Sequence, residues 1–294
     1  MEQRALPARF RTDKGAARFA ACYDRLLSHW DCGYRSTVVE GDFGATHLLV
    51  SGDVTRPPMV LLSGAQGTAG MWGPFAEALC GRFHLHAPDL IDQVGRSEPR
   101  RVLVTAEDAV TWVEQTLDAL ELDAVHLVGN SLGAYIAACF AVARSGRVRS
   151  LSLLAPAATV SPLAARYVLD VMLALALPFS WSKTRFLRRI AAGRANPGDP
   201  LFDLLHCAMS DARAVSKLIP RALDPAALRA LPMPLLLVLG GRDGVNQRAL
   251  DPATGIFDGA PGSRRLEVLV EAGHLWTSGD FHRAGEYVLD TLHG

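Results

Sequence analysis

Ala124-Val125-His126-Leu127-Val128-Gly129-Asn130-Ser131-Leu132-Gly133 is the stretch on which the reading turns. Ala124 to Val128 is a short, nearly continuous apolar run, the pattern of a buried strand. Leu132 to Ala143 is alanine-rich and reads as a helix. Between them lies Gly-x-Ser-x-Gly, which in a strand–turn–helix setting is a nucleophile elbow. The glycines are there for steric reasons: a sharp turn brings backbone against backbone, and a side chain two residues before or after the serine would collide. The helix N-terminus behind Ser131 offers free N–H groups and positive dipole character, which suit developing negative charge.

Outward from the elbow, the same alternation recurs. Met59 to Leu62, Phe83 to Ala87, Ser150 to Leu154, Leu235 to Leu239 and Leu266 to Val270 read as buried strands. Thr105 to Leu120 has apolar residues at helical spacing, with Thr105 as N-cap. Alternating strands and helices predict a mostly parallel α/β sheet with right-handed crossovers. Ser36 to Asp42 and Thr46 to Ser51, joined at Gly41 to Gly44, predict an antiparallel hairpin. Residues 1–35 read as a helical extension, with Phe19, Cys22, Tyr23, Leu26 and Leu27 on one face, packing on the outside. Residues 157–230 hold no strand pattern and several helical pieces, punctuated by prolines such as Pro162, Pro178, Pro197, Pro200 and Pro220, so they read as a helical cap inserted between two strands of one domain spanning 1–294.

A serine hydroxyl needs a base, and the base needs an orienting acid. Gly240-Gly241-Arg242-Asp243-Gly244 follows one predicted strand and Glu271-Ala272-Gly273-His274 follows the last. Ser131, Asp243 and His274 thus fall at the strand ends where open α/β sheets bind ligands. Asp251 and Asp258 are rival acids further along. Of the other histidines, His29 and His47 come too early in the chain, His84, His86 and His126 sit in or beside strands, and His282 and His293 fall on the last helix. His206 lies in the cap, where it could line a pocket. An oxyanion needs two backbone donors: the Leu132 N–H, and one from Ser63-Gly64-Ala65-Gln66-Gly67-Thr68, where Ala65 is the candidate.

Composition narrows the classes. Thirty Lys+Arg balance thirty Asp+Glu, and 49% of residues are hydrophobic. That excludes intrinsic disorder and argues against a nucleic-acid binder relying on bulk positive charge. Five cysteines without a Cys-x-x-Cys pair argue against a disulfide framework or zinc site, and are expected to be free buried thiols. No export signal is visible, and Val168 to Trp181, the longest apolar stretch, is short of the ~20 residues that span a bilayer. A cytoplasmic protein with no metal, cofactor or membrane partner is expected; oligomeric state is left open.

These residues resemble the α/β-hydrolase superfamily, most closely its bacterial carboxylesterase-type members. The likeness rests on Leu61-Leu62-Ser63-Gly64 with Trp72, Pro88-Asp89-Leu90 with Gly95-Arg96-Ser97, the Gly129–Gly133 elbow, Gly241-Arg242-Asp243 and Gly273-His274. It implies an eight-stranded, mostly parallel sheet flanked by helices, a cap after the sixth strand and a Ser–Asp–His triad. Two departures stand out. Ser63 replaces the family's usual histidine, and the Asp89–Ser97 stretch is one residue longer with one glycine missing. The resemblance implies ester hydrolysis through an acyl-enzyme on Ser131. Carbon–carbon bond hydrolysis, acyl transfer or lactone formation, and a non-catalytic ligand-binding protein are the alternatives. The cap residues Leu169, Met172, Leu173, Leu175, Leu177, Phe179 and Trp181 suggest a small-molecule substrate with an apolar portion.

Overall fold

Two strands of the expected hairpin, β1 (Arg35–Gly41) and β2 (Gly44–Ser51), pair antiparallel with Gly41 opposite Gly44. In this computed structural model, which describes residues 9–213, 216–246, 255–257 and 261–293, the hairpin is one edge of a single sheet. The remaining strands are β3 (Pro58–Leu62), β4 (His84–Pro88), the two-residue β5 (Glu98–Pro99), β6 (Val125–Asn130), β7 (Val148–Leu154), β8 (Leu235–Gly240) and β9 (Arg264–Leu269). Eight of them run in the order β1-β2-β4-β3-β6-β7-β8-β9, and β5 adds to β2. From β4 to β9 every neighbour pair is parallel, while β2 runs against both of its long neighbours.

Period-2 alternation sorts the strand side chains into two layers. Val60 and Leu62 face one core with Leu127, Leu237 and Leu239, against α3 (Ala106–Ala119) and α4 (Leu132–Ala143). Met59 and Leu61 face the other, with Leu236 and Val238, against α1 (Asp13–Leu27), α2 (Gly73–Leu79) and α9 (Ser278–His293). Each fully buried leucine contributes roughly 1.5–3 kcal/mol. Thr105 caps α3 as expected, and the reciprocal bond from the Thr105 N–H to Asp108 completes a capping box.

One expectation needs correction. Leu266 to Val270 is not a strand buried on both faces. β9 ends at Leu269 and pairs with no strand beyond it among the described residues, and Leu266 and Val270 are exposed. α1 packs by the face that carries Phe19, Tyr23, Leu26 and Leu27, and the Tyr23 hydroxyl donates to Asp89 at the end of β4. Between β7 and β8 the described residues form four helices: α5 (Ala165–Ala176), α6 (Ser180–Ile190), α7 (Pro200–Asp211) and the short α8 (Pro225–Arg229). α5, α6 and α7 share a small core of their own around Phe186, Phe202, Leu205 and Leu275. No helix among the described residues is long and apolar enough to cross a membrane.

Candidate active site

The chain leaves β6 at Asn130 and enters α4 at Leu132, so one residue makes the whole turn. Ser131 makes it with φ 53° and ψ −111°, a conformation costly for any residue with a side chain. Its N–H donates to the Leu154 carbonyl (3.0 Å), and its own carbonyl accepts from Tyr135 and Ala157, which fixes the bend. A Cβ on Gly129 would lie 2.3 Å from the Gly133 carbonyl oxygen, and one on Gly133 only 2.1 Å from that of Leu62. Both glycines are therefore imposed by backbone approach.

The Ser131 Oγ lies 2.8 Å from His274 Nε2, and His274 Nδ1 lies 2.8 Å from Asp243 Oδ2. The three sequence-predicted residues thus converge in one hydrogen-bonded line, drawn from the ends of β6, β8 and β9. Asp243 is almost fully buried, and its other oxygen accepts from the Val245 N–H (2.8 Å). A buried carboxylate at Nδ1 selects the imidazole tautomer that leaves Nε2 free to accept from the serine. The rival acids Asp251 and Asp258 lie outside the described residues.

The proposed oxyanion donors occupy the expected loops. Gly64 to Gly67 forms a tight turn, closed by Gly67 N–H to the Gly64 carbonyl (3.0 Å), and Gln66 sits at φ 62°. Gly64 packs directly on the elbow, since a Cβ there would be 3.2 Å from Ser131 Cβ. Ala65 faces the cleft, and among the described residues its N–H meets no protein acceptor. Leu132, first residue of α4, has an N–H without an intrahelical acceptor.

Several supports were invisible to sequence reasoning. Gln93, buried in the lengthened loop, accepts from the Gln66 N–H (3.1 Å) and donates to Asp92 (3.2 Å), whose other oxygen accepts from the Leu103 N–H. Gln93 thus braces the turn that carries Ala65. Burial raises the Asp92 carboxyl above its ordinary value. The Ile190 carbonyl, at the end of α6, accepts from both His274 (2.6 Å) and Leu275 (3.0 Å) N–H groups, so the cap holds the histidine loop. Tyr167, on α5, brings its ring centroid to 6.4 Å from that of His274; burial, then the charge of Asp243, pushes its hydroxyl up to about 12. Only the helical spacing of Tyr167, Val171 and Leu175 could have pointed to this face.

A cleft of about 870 Å³ opens beside Ser131, walled by Met71, Tyr167, Val171, Phe186, Leu205 and Met209. A second space of about 1120 Å³ shares Ala65, Ser131 and Tyr167 and is lined beyond them by Asp92, Gln93, Arg213 and Leu218. The cap residues expected to line the apolar space need correction. Of the seven, only Leu175 does so; Leu169, Met172, Leu173, Phe179 and Trp181 are exposed. A 3.6-residue period sets Leu169, Met172 and Leu173 on a different side of α5 from Tyr167, Val171 and Leu175. His206 lines neither space and bonds Ser180 instead.

His47 forms a near-copy of the same relay. Ser36 Oγ lies 2.6 Å from His47 Nε2, and His47 Nδ1 lies 3.1 Å from Asp89. Ser36, however, sits on an open strand without an elbow, and Asp89 already accepts from the Ala69 and Arg96 N–H groups and the Tyr23 hydroxyl. The side-chain line alone does not make a nucleophile. The five cysteines are free thiols, but only Cys139 and Cys207 are buried. Cys22 and Cys207 come within 3.2 Å, joining α1 to α7. Among the described residues no cluster of three or more His, Cys, Asp or Glu side chains is arranged to hold a metal ion.

Residues 59–288 match the model of the alpha/beta hydrolase family, about three quarters of the chain. The chain belongs to this family. Among α/β hydrolases it is similar to the Bacillus subtilis (strain 168) carboxylesterase nap, 32% identical over 145 residues, 49% of this chain and 48% of that protein. It is also similar to carboxylesterase YbfK of the same organism, 31% identical over 148 residues and 50% of each. The chain spans about half the length of these curated relatives. In three dimensions it superposes on the naproxen esterase of B. subtilis with a TM-score of 0.84 at 23% identity, covering 96% of this chain and 99% of that one. That likeness is one of α/β-hydrolase fold.

Proposed function

We propose that the chain is a serine carboxylesterase acting on a small ester with an apolar arm. The carrying observation is the pair of 2.8 Å contacts from Ser131 through His274 to Asp243, made at an elbow that holds the hydroxyl at the cleft. Ser131 Oγ attacks the ester carbonyl as His274 takes its proton. The tetrahedral oxyanion is held by the N–H groups of Ala65 and Leu132. His274 then returns the proton to the leaving alcohol, and the acyl group stays on Ser131. Water repeats the sequence in reverse roles and frees the acid. Asp243 stabilises the imidazolium throughout.

An ester has two arms, and the cleft offers two spaces that meet at Ser131. The aliphatic walls suit the apolar arm, and the space beside Asp92 and Arg213 suits the more polar one. The carboxylesterase names of the sequence relatives point the same way. A fluorophosphonate probe tests the reading. It should label the wild-type chain at Ser131 and leave Ser131→Ala unlabelled, and that variant should lose p-nitrophenyl butyrate turnover by about 10⁵–10⁶. Unlabelled, folded wild type would favour a binding protein. Faster cleavage of a vinylogous 1,5-diketone than of the ester would favour carbon–carbon bond hydrolysis.

A further inference from the structure

Helix α5 has two apolar faces and uses one of them. Tyr167, Val171 and Leu175, four residues apart, line the cleft, and Ala174 is the helix's only buried residue among those described. Val168, Leu169, Met172 and Leu173 point away, with Leu169 55% and Met172 63% exposed. Phe179, just before α6, and Trp181, in its first turn, add to this outward face; both are more than half exposed, with rings stacked at 6.1 Å and 14°. Contiguous apolar surface of this kind marks an interaction site.

The charge around it is one-sided. Residues 165–194 carry six basic side chains (Arg166, Lys183, Arg185, Arg188, Arg189, Arg194) and one acid, Asp170, in a chain whose net charge is zero; Lys183 is buried and donates to the Leu177 carbonyl, so it adds nothing to the surface. Asp170 is held by Arg189, and Arg194 by Asp280. Arg166, Arg185 and Arg188 are exposed and form no ion pair among the described residues. Between α5 and α6 lies a groove with Leu173, Leu177 and Trp181 as walls and Arg185 and Arg189 at its polar side.

We infer that this face docks on an anionic lipid surface. An amphipathic helix lying in the membrane interface needs an apolar stripe, aromatic rings at headgroup depth and cations beside anionic lipid. α5, the Phe179–Trp181 stack and the arginines supply these in one place. A second copy of the chain fits less well, because a two-fold contact through this patch would set the arginines against one another. The expectation of no membrane partner rested on spanning length, which does not bear on a helix lying flat. Leu175 is both exposed and part of the cleft, so an amphiphile could pass from the patch towards Ser131. That last clause rests on the esterase reading; the docking does not.

Sedimentation of the intact chain with vesicles tests it. The chain should pellet with vesicles containing phosphatidylglycerol, not with phosphatidylcholine alone, and salt should weaken the binding. Met172→Glu with Trp181→Ser should weaken it at least tenfold. Arg185→Gln and Arg188→Gln should weaken it about fivefold each. All four substitutions lie outside the proposed machinery, and turnover of p-nitrophenyl acetate should stay within about twofold. A chain that hydrolyses the soluble ester but ignores phosphatidylglycerol vesicles overturns the docking and leaves the esterase reading standing. Vesicle binding without any ester turnover does the reverse. A concentration-dependent dimer abolished by Met172→Glu, without vesicle binding, also overturns the proposal in favour of a second copy.

Discussion

The end of the sheet and the cap above it are built on different principles. At the sheet, Ser131 and its neighbours are held by backbone: strand pairing, the Leu154 carbonyl and glycines that admit no Cβ. In the cap, α7 and α5 wall the same cleft but are held very unequally. α7 is fixed to α1 by the Arg18–Asp211 and Arg25–Asp203 ion pairs, by the Phe10–Ala212 bridge and by the Cys22–Cys207 contact. α5 buries only Ala174 among the described residues and is held by the Asp170–Arg189 ion pair, the Ala164 N–H to the Val245 carbonyl, and Tyr167 against Phe186. On the proposed esterase reading, the contrast separates chemistry from choice of substrate: the sheet sets the reacting geometry, and the cap sets what reaches it.

The largest break of that comparison is on the sheet side. Asp243→Asn keeps the shape but offers an amide to His274 Nδ1, favouring the wrong tautomer, so kcat should fall about 10⁴-fold at unchanged Tm. Retained activity, measured on p-nitrophenyl butyrate, would separate the geometry from the chemistry.

Next comes a point where the cap holds the His274 loop by a backbone bond. A Cβ on Gly273 would lie 2.3 Å from the Ile190 carbonyl oxygen that holds His274. Gly273→Ala should therefore displace the imidazole and lower kcat about 10²-fold while the sheet stays folded. Circular dichroism and steady-state kinetics together decide it; unchanged kcat would show that α6 is a passive neighbour.

A substitution confined to the cap should act on selection alone. Val171→Trp fills the apolar cleft and should cut kcat/KM for a p-nitrophenyl octanoate about tenfold, with the acetate nearly unaffected. Equal losses for both esters would mean that α5 also positions the site.

The smallest effect concerns acid stability, which belongs to the sheet. Burial, then the neighbouring His84, holds His86 at about 3, and burial, then Arg149, holds His126 at about 4. Both are neutral in the folded chain, while in the unfolded chain they take up protons near pH 6.5. Stability is full above that pH and falls as pH drops towards 4 and then 3, by at most about 1.4 kcal/mol per unit for each histidine. Urea midpoints at pH 7 and pH 5 should differ, and His126→Gln should narrow the gap. An unchanged gap in that variant would place the acid sensitivity elsewhere.

Much of the reacting geometry could be read from one dimension because strand ends obey simple grammar. An apolar run followed by Gly-x-Ser-x-Gly, Gly-Gly-Arg-Asp or Gly-His puts the polar residue at the sheet's edge wherever the strands finally pair. The cap resists the same treatment. Leu169 and Val171 look alike in sequence, yet one is exposed and the other lines the cleft, because helical phase was known and the partner face was not. His47, set aside because it comes too early in the chain, forms a Ser–His–Asp line that sequence could not show, but Ser36 lies on an open strand and Asp89 is occupied by other donors.

The order of residues by itself determined the alternation of strands and helices, the elbow at Ser131 and the identities of its two partners. Those follow from local sterics and periodicity, which act within a few residues. Tertiary structure alone decided that Ile190 holds the His274 loop, that Gln93 braces the Ala65 turn, and which face of α5 meets water. Each of these is a contact across tens of residues or more, fixed by how layers stack rather than by any neighbouring pattern.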